Sequence, residues 1–220
     1  MSEQSTRTVD RALSLLAYIC DAGGSTLVEA SRAVELSPST ALRLLRTLES
    51  RGFLRRDDEA TYRPGPRLLQ LGARSLSHEA IIDVSHDEMK ALSGKTGESV
   101  YLSVEGHDDS ALYISIVEGS HSVRHTSWVG RSVPLTGSAA GVVLRGHTPE
   151  TGYVVVGDGI ERDVTAVAAP VVVGQRVAAA LSILVPSYRM TPERTADVGA
   201  LVAASAEQLS RAVTTGATVA

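Results

Sequence analysis

Several protein classes are excluded by what this chain lacks. Cysteine occurs once, at Cys20, so an internal disulfide cannot form, and no Cys/His cluster has the spacing of a structural zinc site. No apolar run approaches the roughly 20 residues needed to span a bilayer. The stretch Met1-Ser2-Glu3-Gln4-Ser5-Thr6-Arg7 lacks the apolar centre of a secretory signal, and a cytoplasmic protein is the expectation. No phosphate-binding loop and no G-x-G-x-x-G occurs, and no cofactor is expected. Gly137-Ser138-Ala139-Ala140-Gly141 has the wrong spacing for the G-x-S-x-G turn that presents a nucleophilic serine. His121 and His125 stand four apart in a strand-like or looped stretch with no third ligand in phase, and His78, His86, His107 and His147 are scattered; no metal site is expected. Asp108-Asp109 sits in a turn, where solvated charge is the usual explanation. Without an activated nucleophile, base or metal, the chain does not read as an enzyme, and no catalytic residue is assigned.

What is present is an ordinary globular composition, 43% hydrophobic and 21% charged over 220 residues, enough for one large domain or two small ones. The net charge of −4 hides an asymmetry. Residues 1–77 carry 11 Arg, no Lys and 9 acidic residues, a surplus of two positive charges. Residues 78–220 carry 10 Lys and Arg against 16 acidic residues, a deficit of six. Planar guanidinium groups suit phosphate and guanine contacts, because each can donate two parallel hydrogen bonds. The split suggests a nucleic-acid module on an acidic body.

Apolar spacing predicts a helix over residues 9–22, with Val9, Ala12, Leu13, Leu16, Ala17, Ile19 and Cys20 facing inward and Gly23-Gly24 ending it. Thr26-Leu27-Val28-Glu29 reads as a capping box that opens a short second helix, which stops near Val34. After the turn Glu35-Leu36-Ser37, Ser37 caps a third helix with Pro38 at its first position, and Gly52 stops it. Short strands over 53–56 and 61–63 around Asp57-Asp58-Glu59-Ala60 form a hairpin in the position of a wing. Leu68, Leu69, Leu71, Ala73 and Leu76 mark a linker helix that bends near 77–79. A further helix covers 81–95, with Ile82, Met89 and Leu92 inward. The period then changes to two. Val100, Leu102 and Val104 alternate with polar residues, and Leu112, Ile114 and Ile116 repeat the pattern. Residues 123–129 are expected as a strand, 138–144 as a short helix, 164–173 and 177–184 as a hairpin, and 191–213 as a last helix. Helix, antiparallel sheet and helix make an α+β domain. No internal repeat and no low-complexity tract occurs. The expected division is a winged helix-turn-helix over 1–66, a linker helix over 67–80 and the α+β domain over 81–220.

In a helix-turn-helix the second helix of the pair enters the major groove and its first residues face base edges. Here those are Pro38, Ser39, Thr40 and Arg43, while Ala41, Leu42, Leu44, Leu45 and Leu48 supply the buried side. Arg43 is the candidate for a bidentate guanine contact, with about 1–3 kcal/mol of discrimination. Arg46, Arg51, Arg55, Arg56 and Arg63 suit the phosphate backbone, which positions the protein and makes binding salt-dependent. Thr26 joins the DNA-facing set at the start of the preceding helix. A helical face that is merely solvated is the bland alternative, but cap, turn, stop glycine and wing follow in the right order.

With those residues in view the chain resembles the IclR-type transcriptional regulators, the isocitrate lyase regulator family. The likeness lies in Thr8-Val9-Asp10-Arg11-Ala12-Leu13, Ser39-Thr40-Ala41-Leu42-Arg43-Leu44-Leu45-Arg46-Thr47-Leu48-Glu49, Gly52-Phe53-Leu54 and Tyr62-Arg63-Pro64-Gly65. It continues in Thr96-Gly97-Glu98-Ser99-Val100, Val133-Pro134-Leu135, Ala168-Ala169-Pro170-Val171 and Ala180-Leu181-Ser182-Ile183-Leu184-Val185-Pro186. The resemblance implies a GAF-like sensor domain, a small-molecule effector, homodimers or tetramers, and double-stranded DNA with a pseudo-palindromic operator as partner. It carries Ala140, Gly141, Ala166 and Ser182 over as effector-binding positions, with Trp128 either walling the entrance or packing at a subunit contact. Amides near Ala140-Gly141 would suit an anionic group.

The chain departs from the family pattern. Only residues 145–167 fill a gap that usually holds a longer helical stretch. Val142 replaces the lysine of the family's Thr-Ala-x-Gly-Lys-like motif, and Leu184 and Val185 replace small or polar positions. An aromatic or otherwise apolar effector fits this better than a small carboxylate; a sensor that binds nothing is the alternative. Two other functional readings stay open: a sensor and protein-interaction module without DNA function, and, last, an enzyme on small acids.

Overall fold

The computed structural model describes residues 6–77, 80–122 and 129–216. The chain forms two compact units, Met1–His78 and Glu79–Ala220. No helix among the described residues is long and apolar enough to cross a membrane.

The first unit contains α1 (Arg7–Asp21), α2 (Leu27–Ala33), α3 (Pro38–Ser50), β1 (Leu54–Arg56), β2 (Tyr62–Pro64) and α4 (Pro66–Ser77). Leu15, Ile19, Ala30, Ala41, Leu44, Leu45, Leu54 and Tyr62 make its core. The α1 face differs from expectation. Leu15 and Ile19 are fully buried, Ala12 and Leu16 pack beside them, and Val9 and Leu13 stay 53% and 57% exposed. Ala17 is exposed and Cys20 half-buried. Two stripes of this apolar helix satisfy the same three- and four-residue spacing, and only packing against α2 and α3 selects one. At Cys20, burial and then the Asp21 carboxylate push the thiol pKa up. Sequence spacing missed a bridge between Ser25 and Tyr62 that ties the wing to the α1–α2 connection. On α4, Leu69 and Leu71 are 78% and 40% exposed. The expected bend falls on residues 78–79, which lie outside the described residues.

The second unit contains α5 (Ala80–Thr96), β3 (Ser99–Glu105), β4 (Ser110–Val117), β5 (Ser132–Pro134), α6 (Ala139–Leu144), β6 (Val154–Gly157), β7 (Val164–Val173), β8 (Arg176–Pro186), a 3-10 turn (Ser187–Arg189) and α7 (Pro192–Gly216). The strands form one antiparallel sheet in the order β5-β4-β3-β8-β7-β6. Val100, Leu102, Leu181 and Ile183 pack in one cluster with Met89 and Leu92 of α5 and Val198, Val202 and Leu209 of α7. On α5, Ile81 is buried and the expected Ile82 only partly so. Tyr101, Ala168, Ala180 and Leu184 belong to a second cluster with Ala139, Ala140 and Val143 of α6. Both faces of β3 are therefore covered, and the polar side expected from alternation does not exist there: Tyr101 and Ser103 are as buried as Val100 and Leu102. Strands β5 and β6 were not expected, being too short for a period to show. The strand expected over 123–129 falls almost entirely on residues outside the described ones.

A fully buried carboxylate closes the sheet against α7. Glu98 accepts hydrogen bonds from Arg189 Nη2 at 2.8 Å and Arg194 Nη2 at 3.1 Å, and His121 Nε2 lies 3.6 Å away. An unpaired carboxylate at that depth would cost several kcal/mol. His121 therefore lies beside the Glu98–Arg189–Arg194 ion-pair cluster; His125 lies outside the described residues. No group of three metal-ligating side chains converges among the described residues.

The capping box on α2 is complete. The Thr26 amide donates to Glu29 Oε2 at 2.9 Å, and the Thr26 hydroxyl accepts from the Glu29 amide at 3.3 Å. That Thr26 amide, followed by the Thr26 hydroxyl, holds the Glu29 carboxyl below the ordinary range. A lowered carboxylate contributes stability that is present above its unfolded pKa, roughly 4.3, and is lost as pH falls through its folded value. Thr26→Ala is expected to destabilise the first unit by about 1 kcal/mol at neutral pH and to lose less than wild type on acidification. Thermal denaturation of both proteins at pH 7 and near pH 3 checks this; equal acid losses would contradict it.

Candidate nucleic-acid interface and ligand cavity

Helix α3 is set at its start by Ser37, whose hydroxyl accepts from the Thr40 amide at 3.3 Å, with Pro38 in the first turn. Ala41, Leu44 and Leu45 face the core and Leu48 packs against it. On the outer side Ser39, Leu42, Arg43, Arg46, Thr47 and Ser50 line one open groove. Pro38, Ser39, Arg43 and Arg46 are exposed, and Thr40 partly so. Leu42 was expected inside; it is partly exposed, lines the groove and does not join the core cluster. Ser37 Oγ donates to Thr40 Oγ1 at 2.9 Å and stands 3.2 Å from Ser39 Oγ.

The remaining expected contacts divide. Arg55 on β1 is exposed, and no ion pair engages it, Arg43 or Arg46 among the described residues. Arg63 is engaged inside the wing: its Nε donates to Asp57 Oδ2 at 2.8 Å and its Nη1 reaches the Gly23 carbonyl at 3.4 Å. The Arg63 guanidinium, followed by the Thr61 amide, holds the Asp57 carboxyl below the usual carboxylate range. Arg56 stacks over Tyr62, 5.5 Å from the ring centroid. The Thr26 hydroxyl is occupied by the capping box, donating to Glu29 Oε2 at 2.8 Å.

The second unit holds a cavity between the β4, β7 and β8 strands, the start of α6 and residues 156–161. The register sets Ala166 opposite Leu184 and Ala168 opposite Ser182. Ala140, Ala166 and Ser182 therefore meet in one lining, together with Tyr113, Ile160 and Glu161, which the sequence analysis does not single out. Tyr113 meets Tyr101 edge-on with centroids 5.2 Å apart, and burial pushes its phenol up to about 12. Ser182 is 1% exposed, and its hydroxyl has no partner among the described residues. Gly141 does not line the cavity; a Cβ at this position would run into the backbone carbonyl of Leu135. The expected anion cradle is also partly closed, because the Gly141 amide donates to Ser138 Oγ at 3.0 Å. Ser138 Oγ in turn donates to the Pro134 carbonyl at 2.8 Å. Trp128 lies outside the described residues. The space open to the centre of a water-sized sphere is ≈ 30 Å³, more than the roughly 10–15 Å³ one water needs.

Comparison with known proteins covers both units. The family model for the IclR helix-turn-helix domain matches residues 8–58. The model for the bacterial transcriptional regulator IclR C-terminal domain matches residues 73–151 and 146–211, two stretches that meet where the sequence is short of the family pattern. The HTH-type transcriptional regulator KdgR of Dickeya chrysanthemi is 33% identical over 119 residues, 54% of this chain and 39% of that protein. The match thus spans well under half the length of that relative. The IclR transcriptional regulator of Alicyclobacillus acidocaldarius superposes with a TM-score of 0.80 at 23% identity, covering 94% of this chain and 99% of that one. An IclR homologue from Microbacterium hydrocarbonoxydans, complexed with 4-hydroxybenzoate, superposes with a TM-score of 0.77 at 22% identity, covering 93% and 99%.

Gly141→Ala separates packing from propensity. Alanine would favour a helix interior by up to about 1 kcal/mol. A Cβ here would overlap the Leu135 carbonyl, which is backbone and cannot turn aside. The variant is expected to be less stable than wild type by about 1–3 kcal/mol, measured by urea denaturation; a stabilised variant would contradict the close approach.

Proposed function

This chain belongs to the IclR family of bacterial transcriptional regulators, and from that premise we propose that it binds duplex DNA sequence-specifically through α3, under the control of a small organic effector held in the cavity of the second unit. The observation that carries the DNA reading is the outer face of α3. Two guanidinium groups, Arg43 and Arg46, share an open groove with Ser39 at the helix start. Arg43 contacts a guanine edge, Arg46 and Arg55 meet phosphates, and Ser39 and Thr40 hold the helix start against the backbone. Arg63 keeps the wing in shape through Asp57. Residues 1–66 act as the winged helix-turn-helix, 67–80 as the linker and 81–220 as the sensor.

Exposed apolar side chains support a homodimer. Val9 and Leu13 on α1 and Leu69 and Leu71 on α4 gain nothing from water, and a two-fold partner covering them would present two copies of α3 to a pseudo-palindromic operator. The linker carries the effector's signal, with a coupling no larger than the effector's differential affinity for the two arrangements of the dimer.

The cavity supports an effector that is largely apolar. Val156, Ile160, Val164, Leu184 and Tyr113 wall it, and the Ser182 hydroxyl supplies one buried polar contact. Its present volume is far below the roughly 300–1,000 Å³ of a typical ligand pocket, so binding an aromatic molecule must move its walls. That requirement links occupancy to conformation.

Arg43→Ala is expected to stay folded and to lose discrimination between operator and unrelated duplex by about 1–3 kcal/mol, or 5- to 150-fold. Wild-type affinity should fall steeply with salt on a log–log plot. Unchanged footprinting by the variant, or a salt slope near zero, would contradict DNA reading by this face. For the sensor, Ser182→Ala is expected to be as stable as wild type or more so, since it removes an unpartnered buried hydroxyl. It should also lose the thermal shift that aromatic acids give in a screen of aromatic and aliphatic acids. A retained shift would remove Ser182 from the effector site.

A further inference from the structure

We propose that Leu42 is a specificity-determining residue that reads the 5-methyl group of a thymine in the major groove; this rests on the DNA-binding reading of α3. Leu42 is the fifth residue of α3, within the N-terminal part of the helix that faces base edges in this motif. It lines the same groove as Ser39, Arg43 and Arg46. Its neighbours Ala41, Leu44 and Leu45 are buried in the core, whereas Leu42 takes no part in that cluster. The groove therefore holds an apolar side chain that the fold of the unit does not use, flanked by guanidinium groups suited to a polyanion.

The polar capacity of the groove is already partly taken. Thr47 Oγ1 donates to the Arg43 carbonyl at 3.0 Å and Ser50 Oγ to the Thr47 carbonyl at 2.9 Å. Hydrogen-bond readout of base edges then falls to Arg43, with Ser39 and Arg46 on the DNA backbone, and Leu42 is the apolar reader beside it. The thymine methyl is the one apolar feature that base edges present in the major groove. Contact between it and Leu42 removes apolar surface of both from water. The pairing separates T·A from C·G at a position where hydrogen bonding alone is not used.

The test uses the full chain and a duplex site selected by it from a random-sequence pool. Each thymine of that site is replaced in turn by deoxyuridine, which deletes the methyl and leaves base pairing intact. Wild type is expected to lose about fourfold in affinity at one thymine of each half-site, the value of one buried methyl group. Leu42→Ala should bind the thymine and uracil sites equally, and Leu42→Met should keep the difference. If circular dichroism shows Leu42→Ala unfolded, Leu42→Gln replaces it in the same comparison. Indifference of wild type to every replacement, or an undiminished penalty in the folded variant, overturns the proposal. Arg43→Ala separates the two levels. Lost discrimination in that variant with no methyl effect in wild type leaves the DNA reading standing and removes Leu42 from it. No selected site and no salt dependence would remove both.

Discussion

The exposure of the arginine face depends on the four-residue connection between α2 and α3, Val34 to Ser37. Glu35 takes a left-handed conformation at φ 52°, and the Leu36 amide donates back to the Ser31 carbonyl at 2.8 Å. Ser37 then caps α3. This sequence of constraints sets the rotation of α3 about its own axis. Turning it by about 100°, the step between successive residues, would lift Leu45 from the core and drive a guanidinium toward it. An unpaired buried charge costs far more than a solvated leucine, so the arginine face remains outside. The wing follows from the same economy: Asp57 takes up Arg63 and Arg56 lies over the Tyr62 ring, while Arg55 on β1 stays exposed with no ion pair among the described residues.

In the second unit the governing condition is that the sheet is covered twice. Helices α5 and α7 take one face, and α6 with the segments beside it takes the other. The second covering is thin, six residues of helix, and the cavity forms under its edge. Ser182 belongs to a strand whose neighbours on that face are Ala180 and Leu184, and its buried hydroxyl has no hydrogen-bond partner among the described residues. The hydroxyl is polar in a place where polarity costs stability. Under the proposed effector reading, a ligand's hydrogen bond to this hydroxyl would relieve that cost.

Much of the first unit was legible because its signals are local. A capping box needs four residues, an N-cap followed by proline needs two, and a stop glycine needs one; Thr26, Ser37 and Gly52 all stand where local chemistry places them. Face assignments were less secure. Val9 and Leu13 fit the inward stripe of α1 as well as Leu15 does, and Leu42 looks like core beside Leu44 and Leu45. In the sheet, alternation predicted a solvent side for β3 that α6 in fact covers. Of the cavity, Ala140, Ala166 and Ser182 were foreseen, while Tyr113, Ile160 and Glu161 come from distant stretches with no shared spacing.

Local residue patterns suffice to mark where helices begin and end, that a basic helical unit precedes an acidic mixed one, and which strands form hairpins. These depend on interactions within a few residues, whose geometry the covalent chain supplies. Packing, in contrast, selects which of two equivalent stripes is buried, turns Leu42 into the groove, ties Arg63 to Asp57 and brings Ser182 to a cavity. Burial is a property of what packs on top, and the residues that do so lie tens of positions away, where no local period carries the information.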